Sequence, residues 1–214
     1  MTYIDLLAKL GPWFERGRAA AGRRPDGTPV VPCRAGCTAC CRGPFDISPA
    51  DAAVVAEGLA GLDGATRAAL RERAAAQLAR YRALAPGWRP PFDVGGLPEA
   101  DFDGLVLALE ADPCPALGAD GGCTVYSHRP ATCRMLGLGM VSEELGMLEN
   151  TCPIQAEHPE YAALAPTPFD LLGFERASER AEEAAAAAGW VTTTVAAVLA
   201  GFGRWAAADG PEGR

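Results

Sequence analysis

The chain has 214 residues, 49% of them hydrophobic, which is long enough to bury one good-sized core and too apolar for disorder to be the default. Its net charge is −8, and 18 of its 19 basic residues are arginines with no long run among them, so a nucleic-acid-binding stripe is excluded as a first reading. The N-terminus has no basic lead followed by an uninterrupted apolar stretch. The most apolar late stretch, 190–208, is interrupted by three threonines, two glycines and Arg204, so export and membrane spanning are not expected and the location expected is cytoplasmic.

In chain order, residues 3–22 read as helix, kinked or ended near Pro12, and 22–27 as a loop rich in glycine and arginine. A cysteine loop follows. Ser48 before Pro49 is a helix start, because serine caps and proline suits the first helical position, and the helix runs through Leu59. A second helix is expected over 66–84, with Leu70, Leu78, Tyr81 and Leu84 on one face. Residues 86–98 form a Pro/Gly linker whose Trp88 and Phe92 are expected to cover the core. The apolar run 102–109 has no clear type. Residues 136–141 and 147–150, joined by 142–146, suggest a short hairpin, and two helices at about 168–188 and 192–208 close the chain. Their apolar stripes fit either a private core or a docking surface for a protein partner.

The eight cysteines carry the chemistry. Cys33, Cys37, Cys40 and Cys41 lie within nine residues, and Cys114, Cys123, Cys133 and Cys152 follow after a helical insert, 48–110. An even number of cysteines permits a disulfide framework. A chain this large without an export signal does not need one, and the adjacent Cys40 and Cys41 rarely pair with each other. Thiolates close together instead suit soft or borderline cations, zinc or iron. Arg34 and Arg42 beside the loop are expected to favour ionised sulfur. Metal shared between segments 33–41 and 114–153 would clip them together and make coordination part of the fold's stability.

The second segment contains Cys123-Thr-Val-Tyr126-Ser-His-Arg129-Pro130-Ala-Thr-Cys133-Arg134. With the first cysteine loop and Cys152-Pro153, this resembles the CxxCxxCC family of zinc- or iron-chelating, YkgJ-like cysteine-cluster proteins. The chain departs from the family name in having three residues between its first two cysteines. The resemblance implies a metal ligand set of all eight cysteines: Cys33, Cys37, Cys40, Cys41, Cys114, Cys123, Cys133 and Cys152. It extends to the flagellin lysine-N-methylase group, which raises an enzymatic alternative, protein lysine methylation. The C-x3-C-x2-C spacing also matches enzymes that cleave S-adenosylmethionine with a four-iron cluster, but those resemble a partial barrel and this chain reads as mostly helical.

Zinc sites commonly use paired knuckles, and the second segment is spaced too widely for them. Eight thiolates and the Cys114-Pro115 and Cys152-Pro153 pairs favour an iron-sulfur cluster, with structural zinc in an interaction module as the alternative. Tyr126, Arg129 and Arg134 are expected around the sulfurs, and Pro130 is expected to start a short helix carrying Cys133. Arg129 fits an ordinary cap or salt bridge equally well. His128 is expected near the site or at the surface rather than on the metal, and Met135, Met140 and Met147 in the core.

The fold expected is mainly α, a single domain over 1–214 with a small irregular cysteine-rich metal-binding core, one short β-hairpin and a C-terminal helical part at 168–208.

Overall fold

The computed structural model describes residues 2–34, 36–143, 146–150 and 152–205. The chain is mainly α with a small β component. Helix α1 (Tyr3–Leu7) opens with a capping box: the Asp5 amide donates to Thr2 Oγ1 at 3.3 Å and the Thr2 amide to the Asp5 carboxylate at 2.9 Å. Helix α2 (Leu10–Ala21) follows after a break at Ala8 and Lys9. The break falls where Pro12 acts, since its ring crowds the carbonyl four residues back and offers it no N–H.

Strand β1 (Asp46–Ile47) leads into α3 (Pro49–Ala60), with Ser48 Oγ accepting from the Asp51 amide at 3.1 Å as its capping motif requires. Helix α4 (Gly64–Leu84) is capped by Asp63, whose carboxylate accepts from the Ala65 and Thr66 amides at 3.0 and 2.9 Å. Next come α5 (Glu99–Ala108) and α6 (Ala131–Met135). Beyond them lie β2 (Met140–Ser142), β3 (Gly146–Leu148), α7 (Pro159–Ala162) and β4 (Thr167–Pro168). The chain ends with α8 (Leu171–Ala187), β5 (Thr193–Thr194) and α9 (Val195–Leu199).

The chain divides into two compact units, one of residues 1–40 and 131–180, the other of 41–130 and 181–214, with α8 contributing residues to each. In the first unit α2 packs against α6, and β2 is flanked by antiparallel β3 and parallel β4. Trp13 is fully buried, donates from Nε1 to the Thr167 carbonyl at 3.3 Å, and meets Phe169 edge to face at 5.7 Å. Gly17 permits this close approach of α2, because a Cβ there would come within 2.5 Å of the Leu138 and Thr167 side chains.

In the second unit α3 and α4 pack on α9, and β1 pairs antiparallel with β5, Asp46 opposite Thr194. The core includes Ile47, Val55, Leu59, Leu70, Val198 and Leu199. A neighbouring cluster surrounds Tyr81, Trp88 and Phe92, so the two linker aromatics do serve packing.

Some expectations change. The apolar run 102–109 is largely helical, as part of α5. Leu84 is 53% exposed, at the last position of α4. Helix α9 stops at Leu199 rather than continuing to 208, where Gly201 and Gly203 take φ of +95° and +90°, outside helical backbone. Residues 206–208 lie outside the described residues, as do Glu144 and Leu145 in the hairpin turn. Among the described residues no helix is long and apolar enough to cross a membrane.

Candidate metal centre

The boundary between the units falls between the neighbours Cys40 and Cys41, so the cysteines form two sets. Cys33, Cys37, Cys40, Cys133 and Cys152 belong to the first unit, and Cys41, Cys114 and Cys123 to the second. All eight are present as thiols, Cys152 buried and the others half-buried.

In the first unit the cysteines at 33–40 ride on turns without regular structure, closed locally by the Cys37 amide donating to the Arg34 carbonyl at 3.0 Å. Cys152 arrives from more than a hundred residues away, its amide held by Asn150 Oδ1 at 3.0 Å. The Cys33 thiol is pushed up to about 11, first by burial and then by the charges of Cys152, Cys37 and Cys40. The expected help from arginine does not reach it. Arg34 is exposed and turns to the Pro32 carbonyl at 3.5 Å, and Arg42 donates to the Ala111 carbonyl at 3.2 Å. A metal ion would therefore have to displace a proton from Cys33.

Beside Cys33 lies a contact that motif spacing does not reveal. Gly137 has φ of +109°, and a Cβ on it would stand 3.0 Å from Cys33 Sγ and 3.1 Å from Phe14 Cε2. The Gly137 carbonyl accepts from the Tyr161 hydroxyl at 2.6 Å. Tyr161 is 1% exposed, and its neighbours include the side chains of Cys33, Cys152 and Asn150. Tyr161 sits in α7, outside both cysteine segments, and nothing in the spacing of cysteines points to it. A groove of about 340 Å³ runs past it, lined by Met147, Leu148, Asn150, Gln155 and Pro166 among others.

In the second unit the thiols are pinned by backbone. The Cys114 amide donates to the Cys41 carbonyl at 2.9 Å, next to an antiparallel bridge between Arg42 and Pro113. Leu117 bridges Cys123, and the Thr124 amide donates to the Ala116 carbonyl at 2.9 Å. Arg73 on α4 donates to the Pro115 and Leu117 carbonyls at 3.1 Å each. Cys114 and Cys123 pack against the core of α3, α4 and α9. Burial raises the Cys123 thiol, partly offset by the Val125 amide and the Arg129 charge.

Arg129 lies over the Tyr126 ring at 4.2 Å, a cation–π contact, while Tyr126 itself is 61% exposed. Arg134 rides with Cys133 on α6, which follows Pro130 directly. His128 packs on α3 beside Gly58 and hydrogen-bonds to Ser127 Oγ through Nδ1 at 2.9 Å. Of the methionines expected inside, Met140 is buried, but Met147 is 58% exposed because all three residues of β3 face outward.

A family model described as "CxxCxxCC: Putative zinc- or iron-chelating domain" matches residues 32–153. The chain belongs to this family. The match covers more than half of the chain and spans all eight cysteines. No curated protein and no solved structure matches it.

The donor chemistry of the CxxCxxCC chain fits the family's metals, since thiolates bind both zinc and iron. Among the described residues no three His, Cys, Asp or Glu side chains are yet drawn together in a geometry that could hold an ion. Of the first set, Cys33, Cys37 and Cys40 lie on turns and Cys133 on α6.

Proposed function

We propose that this CxxCxxCC protein carries iron as an iron-sulfur cluster in its first unit, ligated by Cys33, Cys37, Cys40 and Cys152, with Cys133 in the same unit. What supports the reading is that Cys33, Cys37, Cys40 and the sequence-distant Cys152 fall in one compact unit, with the charges of the other three acting on Cys33. Four thiolates are the ligand number that both cluster types use. Cys41, Cys114 and Cys123 form a separate set that offers three sulfurs to a second ion. Arg129 tempers the thiol of Cys123 there. The supply of sulfur beyond one mononuclear zinc site and the Cys-Pro pairs at 114–115 and 152–153 favour iron over zinc. Reduced thiols in this number fit a reducing, cytoplasmic setting.

The test is anaerobic purification with iron, zinc and acid-labile sulfide measured on the same sample, for the wild type and for Cys33→Ser and Cys123→Ser. Iron with matching sulfide that disappears with Cys33→Ser is the expected result. Colourless protein with stoichiometric zinc would replace the cluster by a zinc site, and loss of one and the same ion in both variants would merge the two sets.

A further inference from the structure

The sheet of the first unit runs β3-β2-β4, so it has two edges, and among the described residues only one of them is closed. On β4 the Thr167 and Phe169 amides turn inward, to the Gly139 and Val141 carbonyls at 2.8 and 2.9 Å, which leaves position 168 facing out. Proline stands there with no N–H to offer, and Trp13 donates to the Thr167 carbonyl beside it. Strand β3 has no such device. Its sequence Gly146-Met147-Leu148 contains neither proline nor lysine, all three residues are exposed, and Leu148 leaves 45% of its surface in solvent. Beside it runs the groove of about 340 Å³, whose walls include Met147, Leu148, Leu138, Leu164 and Pro166.

The charge around this groove has one sign. Glu149 lines it, Glu143 follows β2 directly, and Glu157 comes two residues after Gln155 on its wall; all three glutamates are exposed. No lysine or arginine occurs between Arg134 and Arg176. Arg24 comes in from outside that segment and meets Glu160, at 3.7 Å. An apolar trough with an acidic rim beside an open strand edge suits an extended chain that carries basic and apolar side chains together. A second copy of this protein would bring the same acidic rim against it, and like charges across a strand pair are unfavourable.

We propose that the β3 edge and its groove dock an extended segment of a partner protein in which lysine or arginine alternates with apolar residues. The segment pairs with the outer backbone of β3, its apolar side chains fill the trough, and its cations meet Glu143, Glu149 and Glu157. A strand of three residues supplies few backbone hydrogen bonds, so the apolar and charged contacts carry much of the affinity. Docking takes no metal and stands apart from the assignment of the cysteines.

The experiment uses the full chain and fluorescent synthetic peptides in which valine alternates with lysine, with arginine or with glutamate, together with a fully N-methylated lysine peptide. Anisotropy gives the dissociation constants, and amide hydrogen exchange locates the site. The lysine and arginine peptides should bind alike, the glutamate peptide should not bind, the N-methylated peptide should bind more weakly than its parent, and exchange should slow at Met147 and Leu148. Leu148→Ser should weaken the lysine peptide about tenfold, the lower end of what burying a leucine side chain contributes. Glu149→Lys should weaken it about threefold to tenfold, with the difference fading at high salt. Because Glu149 is exposed, the second variant keeps the question answerable should Leu148→Ser fail to fold. A wild type that binds none of the peptides, or binds the glutamate peptide as well as the lysine one, overturns the proposal. So do variants that bind as the wild type does, and an N-methylated peptide held as tightly as its parent. Concentration-dependent dimerisation of the wild type, abolished by Leu148→Ser, overturns it too, by giving this edge to a second copy.

Discussion

The two cysteine sets are built on opposite principles. Cys33, Cys37 and Cys40 lie on turns, and what surrounds Cys33 is a tyrosine hydroxyl and other thiols. Cys41, Cys114 and Cys123 are tied by backbone bridges and by Arg73, and two of them lean on a hydrocarbon core. In the second unit backbone bridges and the packed helices already fix the segments that carry the sulfurs. On the proposed ligand set, the thiols of the first unit would gain their arrangement from the ion, making binding and ordering one event there. Similar residues in one sequence motif thus need not play equal parts in stability.

The largest expected effect separates the two sets directly. Saturating the reduced, metal-free protein with metal at about a thousand times its dissociation constant should stabilise it by about 4 kcal/mol. Amide hydrogen exchange should show that gain unevenly, with the Cys37 amide becoming protected only on metal binding and the Cys114 and Thr124 amides protected before it. Equal slowing at all three amides would erase the distinction.

The converse perturbation attacks the core under the second set. Leu199 is fully buried on α9, and Leu199→Ala should cost about 2–5 kcal/mol by urea denaturation, the range for an interior leucine truncated to alanine. The iron bound by the folded variant should stay at the wild-type count. A proportionate loss of iron would mean that the first set depends on the core as much as the second does.

Smaller, but sharper in location, is Gly58→Ala on α3. A Cβ there would meet His128 Cβ at 2.6 Å, closer than two carbons can sit. The Tyr126–His128 turn, and Arg129 after it, must then shift, at a cost of about 1–3 kcal/mol. The reactivity of Cys123 toward a thiol reagent should fall while that of Cys33 is unchanged, since the Arg129 charge lowers the Cys123 thiol and moving it away leaves less thiolate there.

Much of the helical frame was legible because its signals are local. Ser48-Pro49 states a helix start in two residues, and Leu70, Leu78 and Tyr81 state a buried face by spacing alone. The hairpin was legible for the same reason. The end of α9 was legible only in part, since an apolar run suggests continuation and Gly201 and Gly203 break it through positive φ. The family was readable from the Cys123–Arg134 motif and is confirmed over residues 32–153. Adjacency alone suggests that Cys40 and Cys41, whose side chains point differently, could serve separate centres, but which other cysteines share a unit with each was not readable, because packing between residues far apart in sequence decides it. The partner of Tyr161 was invisible for a related reason: its hydroxyl donates to a carbonyl 24 positions earlier in the chain.

The smallest effect concerns the frame of the second unit at its N-terminal edge. Helix α3 has two acceptors at its start: Ser48 Oγ takes the Asp51 amide at 3.1 Å, and the Glu182 carboxylate takes the Ala50 amide at 3.0 Å. Each satisfies a donor that has no partner within the helix. Ser48→Ala should cost about 1 kcal/mol, and Ser48→Asp should recover most of it because a carboxylate caps as well as a hydroxyl. Glu182→Gln keeps an acceptor and loses only the charge facing the positive end of the helix, so it should cost about 0.3–1 kcal/mol and less at high salt. Because the two acceptors serve adjacent amides, the double variant measures whether they act independently. A sum equal to the parts means two separate caps, whereas a larger loss means that the helix start frays when both are gone. In either case the first set of thiols should bind metal as the wild type does, and a change in its metal count on so slight a perturbation would be the most sensitive sign that the two sets are coupled.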